Sequence, residues 1–360
     1  MAASHALETP LAGLHRNAGA RLGVWFGCAL PDSFGDWQGE YRWARESVVL
    51  VDKNYRAYLG FTGPDRVRYL NAILTNNIKD LAAGRGITSL FLNPQGHIQA
   101  EIETYAEAER LFCVSFAMIR ERLVAALDKY IIMDDVTLTD ETSGYGTLAL
   151  EGPDAAAATE VLSGVKLTDL DELGFKDCAV GTIPCRIIRR SPGGVPGAEF
   201  LVAQDSLGEW WQRLLEAAKK HGGGAMGYLA LNSLRLEQGI SWFGYDFGEK
   251  QIPHEAGLQD SHISFTKGCY TGQEIVERVR SRGQVNRVRV SLKFASDAVP
   301  EAGTPLLDEG REVGFTTRAG FSPKLGAPIG MGYVRREKSV AGSKLSYGGG
   351  EATVISTPIG

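Results

Sequence analysis

Apolar positions recur along this chain with two different periods, and the change of period divides it. Tyr55 to Thr62 is an apolar β run followed by Gly63-Pro64-Asp65, where Pro suits the first turn of a helix and Asp its positive end. Tyr145 to Glu151 repeats that run and is followed by Gly152-Pro153-Asp154, 89 residues further on. At the same offset Leu111-Phe-Cys-Val114 lies opposite Phe200-Leu-Val-Ala203. Each of these runs precedes an amphipathic helical pattern, carrying Met118, Leu123 and Leu127 in one case and Trp210, Leu214 and Leu215 in the other. The matches predict two strand–helix–strand–helix halves, at about residues 50–140 and 141–225. A ligand cleft is expected where such halves meet.

Two further helices are predicted. Gly227 to Gly239 is one, closed by its terminal glycine, and the other follows Thr271, with Ile275, Val276 and Val279 on a single face. Beyond Asn286 the period becomes two, in Val288-Arg-Val-Ser-Leu-Lys-Phe294. Short apolar runs near Val313, Ile329 to Val334 and Ala352 to Ile355 are then separated by Gly, Pro and Ser. This texture predicts a small all-β barrel or sandwich without a helix. The expected class is α+β: a bilobed region over 1–285, two related mixed α/β lobes around a central cleft, and a C-terminal β-barrel over 286–360.

Composition narrows the class of activity. Hydrophobic residues make up 44% and charged residues 22% of the chain, the proportions of a globular protein. A net charge of −5 does not suggest a whole-protein nucleic-acid or membrane-surface binder. No apolar window reaches the length of a membrane-spanning helix, and Met1 to His15 lacks the basic start and long apolar stretch of a secretion signal. Cysteines stand at 28, 113, 178, 185 and 269 without a Cys-x-x-Cys pair, and the six histidines are equally dispersed. A reducing, cytoplasmic setting and no built-in metal centre are therefore expected. Phosphate-binding glycine loops and a Gly-x-Ser-x-Gly nucleophile elbow are absent from the sequence.

Two stretches could carry chemistry. In Lys267-Gly-Cys-Tyr-Thr-Gly-Gln-Glu274, Thr271 and Glu274 have capping-box spacing, which puts Cys269 just ahead of a helix N-terminus. Helix amides and Lys267 would favour a thiolate there; the alternative is a buried, inert cysteine at a tight turn. In Leu234-Arg-Leu-Glu237, Glu237 falls in the last turn of its helix, where the dipole disfavours a carboxylate. A salt bridge to Arg235 or exposure to water would compensate. So would a ligand presenting two adjacent N–H donors, such as the pyrimidine edge of a pterin. Trp242-Phe-Gly-Tyr245 supplies flat faces nearby, suited to packing or to stacking. Arg278, Arg280, Arg282, Arg287 and Arg289 form a basic run without interleaved aromatics. It reads as a solvated face, and direct nucleic-acid binding is not expected from it.

The string Lys267 to Glu274, with Leu234-Arg-Leu-Glu237, Phe243-Gly-Tyr-Asp246 and Ile252-Pro-His-Glu255, resembles the YgfZ branch of the YgfZ/GcvT folate-binding superfamily. Thr9-Pro-Leu-Ala-Gly-Leu-His15, Leu74-Thr-Asn-Asn-Ile78 and Ser322-Pro-Lys-Leu-Gly326 resemble glycine-cleavage T-proteins, so the likeness spans nearly the whole chain. The resemblance implies lobes arranged around a tetrahydrofolate site, the folate carrying or lacking a one-carbon group. It implies Glu237 as the pterin-binding carboxylate, with Trp242, Tyr245, Tyr270 and Lys267 lining the site. It further implies a functional thiol at Cys269 that supports iron–sulfur proteins or their assembly factors and, through them, tRNA modification. Where T-proteins have Gly-Gly-Ile-x-Asp-Asp, this chain has Gly96-His-Ile-Gln-Ala-Glu101. Ala100 cannot exchange a proton, so acid/base assistance is missing unless Glu101 or His97 replaces it. A folate-binding accessory protein is accordingly expected ahead of the alternative, a folate-dependent aminomethyltransferase.

Overall fold

The structure is a computed structural model that describes residues 6–190 and 194–359. It divides into two compact units. The first comprises residues 1–71, 78–88 and 102–231, and the second residues 72–77, 89–101 and 232–360. Residues 232–285 group with the barrel in the second unit.

The first unit holds two sheets. One runs in the order Gly86–Leu92, Ile98–Ala106, Leu111–Phe116, Arg56–Thr62, Thr137–Asp140. The other runs Phe175–Val180, Ile183–Arg189, Gly197–Ala203, Tyr145–Glu151, Val49–Asp52, Gly224–Ala225. The 89-residue offset is visible here: Arg56–Thr62 and Tyr145–Glu151 are matching strands, followed by the helices Arg66–Ile73 and Ala155–Ser163. Both connections turn on a glycine. Gly63 and Gly152 have φ of 95° and 131°, and a Cβ on either would lie 2.2 Å from the Asp135 carbonyl or 2.3 Å from that of Ser47. The offset also places Tyr58 against Thr147, whose hydroxyls are 2.7 Å apart.

Each half lends its leading strand to the other. Val49–Asp52, just before the first central strand, pairs antiparallel with Tyr145–Glu151, while Thr137–Asp140, just before the second, pairs with Arg56–Thr62. This reciprocal exchange ties the lobes into one body. Beneath the second sheet, the helix Leu207–Lys220 buries Trp210, Trp211, Leu214 and Ala218 against Leu50, Leu148, Phe200 and Val202. Its apolar residues recur at helical spacing, and burying two tryptophans and a leucine contributes several kcal/mol, at roughly 1.5–3 kcal/mol for each large apolar side chain. Ahead of the lobes, Leu7–Glu8, Arg21–Trp25 and Cys28–Ser33 form a three-stranded sheet that apolar periodicity alone did not mark.

In the second unit, the strands Arg287–Phe294, Ala327–Arg335, Arg311–Ser322, Pro305–Asp308, Lys344–Tyr347 and Gly350–Ile355 close a six-stranded barrel in that order. Closure removes both sheet edges. Alternate residues Val290, Leu292 and Phe294 point inward with Leu306, Val334, Leu345, Ala352 and Val354. The helix Tyr228–Gln238 is closed by Gly239 at φ 74°, and its Leu236 packs on Ile329 and Met331 of the barrel. No helix among the described residues is long and apolar enough to cross a membrane.

Candidate functional site

The first unit carries a cavity of about 740 Å³. Asn54, Arg56 and Tyr58 reach it from the first central strand and its approach, Met118 and Arg120 from the turn after Leu111–Phe116, and Tyr145 from the second central strand. It thus opens where the two related halves meet, walled by aromatic faces and by amide and guanidinium donors. Arg56 is held rigidly: Nη1 and Nη2 donate to the two Glu199 carboxylate oxygens at 2.5 and 2.7 Å. Behind it, Arg190 pairs with Glu103 at 2.7 Å, and the Tyr105 hydroxyl donates to Glu103 at 2.7 Å. Burial works against the Arg56 charge, but Glu199 and then Glu103 raise its pKa well above the ordinary value. Cys28 also lines the cavity, and burial, helped by Asp52, pushes its thiol up to about 11, so it stays protonated and unreactive.

The second unit holds the residues expected to form the pterin clamp. Glu237 is 1% exposed and accepts a hydrogen bond from Ser322 Oγ at 2.5 Å. A buried hydroxyl thus faces this carboxylate at the end of its helix. Arg235 turns instead to Asp246, while its Nε donates to Asn232 at 3.0 Å and its guanidinium stacks 4.6 Å from the Trp242 ring. Asp246 also accepts from the Trp242 amide at 2.9 Å and from Thr317 Oγ1 at 2.6 Å. Trp242 thus packs against a buried ion pair. Tyr245 lies under the Arg318 guanidinium at 4.8 Å.

The segment 267–270 forms a separate cluster in the same unit. Lys267 Nζ donates to the carbonyls of Leu74 at 2.5 Å and Asn76 at 3.0 Å and lies 5.3 Å from the Tyr270 ring. Loss of hydration brings its pKa down to about 8. Tyr270 is 6% exposed, its hydroxyl has no hydrogen-bond partner, and burial raises its pKa. Cys269 is exposed. The capping box expected from Thr271 does not form: the helix Gln273–Arg282 takes Gly272 as N-cap, in the left-handed region, without a side-chain cap. Glu274 instead pairs with Arg278 at 2.7 Å.

A further pair in this unit escaped the sequence reading. His262 Nε2 lies 2.9 Å from Glu101 Oε1, and its Nδ1 lies 2.7 Å from Ser261 Oγ. The His262 carbonyl accepts from Thr75 Oγ1 at 2.6 Å, between the two residues whose carbonyls hold Lys267. Glu101 and His262 are 161 positions apart, so no local spacing could have disclosed the pair. Ala100, beside Glu101, is fully buried, and His97 sits after the tight turn closed by Gly96 N–H donating to the Asn93 carbonyl at 2.9 Å. The arginine run is dispersed. Arg280 pairs with Glu277 and covers Phe265, while Arg289 donates to the Ala256 carbonyl; the side chain of Arg282 lies outside the described residues.

The sequence matches the GCVT N-terminal domain over residues 11–267 and the glycine cleavage T-protein C-terminal barrel domain over residues 287–359. An aminomethyltransferase of Halothermothrix orenii is 29% identical over 344 residues, 94% of each chain. One of Rubrobacter xylanophilus is 28% identical over 331 residues, covering 92% of this chain and 87% of the relative. The glycine cleavage system aminomethyltransferase T of Bartonella henselae has the same fold. It superposes with a TM-score of 0.88 over 99% of this chain and 98% of its own, at 24% identity.

Proposed function

The chain belongs to the glycine cleavage T-protein family, and from that premise we propose that it binds tetrahydrofolate in the cytoplasm and transfers an aminomethyl-derived one-carbon unit to it. Aminomethyltransferases of this family act on tetrahydrofolate. The observation that carries the reading is the cavity of about 740 Å³ in the first unit. Its lining suits a folate: the partly buried Tyr145 offers an aromatic surface to a pterin, Asn54 an amide, and Arg120 a positive charge for the glutamate tail. Glu237 would then be a structural carboxylate. On the strand that carries Ala100, Glu101 lies 2.9 Å from His262 and would supply the acid/base group that Ala100 cannot.

Titration calorimetry with tetrahydrofolate tests the site. Met118→Trp, which fills the cavity, should weaken binding by at least about tenfold, equivalent to 1.4 kcal/mol. Unchanged affinity in a folded variant would place the folate elsewhere. Incubation with tetrahydrofolate and a glycine- or sarcosine-derived donor tests the chemistry, methylene-tetrahydrofolate being the expected product. No turnover, with folate bound, would sink the transferase reading and leave the binding one.

A second reading is supported by the segment Lys267 to Glu274. There a thiol is exposed at Cys269, beside an ammonium whose charge is weakened by burial. In this reading the chain is of the YgfZ type, and Cys269 supports iron–sulfur proteins and, through them, tRNA modification. Cys269→Ala should then leave folate affinity unaltered yet fail to restore iron–sulfur enzyme activity in cells lacking their own homologue. Full restoration would reduce Cys269 to a surface residue.

A further inference from the structure

Three of the five cysteines, Cys113, Cys178 and Cys185, lie outside both candidate sites, and two of those three touch. Cys178 and Cys185 lie directly opposite one another in the antiparallel hairpin of Phe175–Val180 and Ile183–Arg189, with Sγ atoms 3.4 Å apart. The two-residue turn Gly181-Thr182 joins the strands, and Phe175–Val180 is the outer edge of its sheet. Cys185 is buried in the lobe core, while Cys178 is only half-buried. Cys178 and Cys185 both line a cavity of about 220 Å³, with Pro184, Arg110, Arg186 and Tyr145 among its other walls. A small reagent therefore has a path to the pair. Cys113 is enclosed, with burial pushing its thiol up to about 12, and burial raises the Cys185 thiol as well, so Cys178 is the sulfur of the pair placed to react first.

We propose that Cys178 and Cys185 are a reversible dithiol–disulfide site that takes a low-molecular-weight disulfide, such as oxidised glutathione, as its oxidant. This site is independent of the folate reading. The half-buried Cys178, as thiolate, attacks one sulfur of the small disulfide, giving a mixed disulfide and releasing one small thiol. Cys185 then loses its proton to solvent and attacks Cys178 Sγ, expelling the second small thiol. Two protein thiols and one small disulfide become one protein disulfide and two small thiols, so atoms and electrons balance. Access makes the bond reversible: Cys178 is half-buried on the edge strand, where an excess of small thiol can attack it and drive the exchange backwards.

The test uses the full-length protein in glutathione buffers of increasing oxidation, read by intact mass and by peptide mapping without reduction. The expected result is a linked peptide pair containing Cys178 and Cys185, restored to two thiols by excess reduced glutathione and mapped apart from any glutathione carried by the exposed Cys269. Cys185→Ala should trap one glutathione on Cys178, whereas Cys178→Ala should leave Cys185 unmodified. The wild-type map stands even if a variant folds poorly. Persistence of both thiols in fully oxidised buffer, or linkage of either to another cysteine, would overturn the proposal.

Discussion

Replacing Glu237 by Gln separates the two meanings that its position allows. Glu237 is 1% exposed and accepts a 2.5 Å hydrogen bond from Ser322. Glutamine keeps an acceptor of the same length and loses only the charge. A charge-assisted hydrogen bond contributes about 1.5–3 kcal/mol and a neutral one about 0.5–1.5 kcal/mol, so the expected loss of stability is about 1 kcal/mol. Relief of the buried carboxylate's desolvation reduces that further. Folate affinity should stay within about threefold, since a tenfold change needs 1.4 kcal/mol. A pterin clamp predicts otherwise: two charge-assisted bonds to the ligand would be weakened or lost, at a cost of about 3 kcal/mol or more, or over a hundredfold in affinity. Urea denaturation and titration calorimetry on the same preparation measure both quantities. Ser322→Ala provides the control, because removing a donor from a buried carboxylate costs about 1–3 kcal/mol and should destabilise more than Glu237→Gln does. A hundredfold loss of affinity in Glu237→Gln with unchanged stability would refute the structural role and restore the clamp.

Two further outcomes follow from buried charges. Arg56→Met leaves Glu199 buried without its partner and should destabilise by about 3–5 kcal/mol. Glu199→Gln in that background should recover part of the loss, and a double-mutant cycle by denaturation showing no coupling would contradict the pairing. The folded-state pKa of Lys267 is depressed to about 8 from its ordinary 10.5, so between those values the unfolded chain binds more protons and wild-type stability should rise with pH. The stability difference between wild type and Lys267→Met should therefore shift in favour of the wild type from pH 8 to about pH 10.5 and be flat below pH 7. A difference that does not change with pH would show that Lys267 keeps its charge throughout.

Local pattern settled more of the fold than of the site. Period-two and helical runs, with Gly63 and Gly152 at matched turns, were enough to mark two related halves and an all-β end, because burial of one face imposes its period on the sequence. They could not say with which sheet Val49–Asp52 or Thr137–Asp140 pairs. Four apolar residues fit either partner equally well, and only packing between the halves determines the exchange. The same limit governs the side chains. The awkward place of Glu237 at a helix end was readable from spacing, but its compensation by Ser322 spans 85 positions, and the Glu101–His262 couple spans 161. Charge and shape along a chain specify which groups need partners. Which group answers depends on distances in space, and those exist only once the chain has folded.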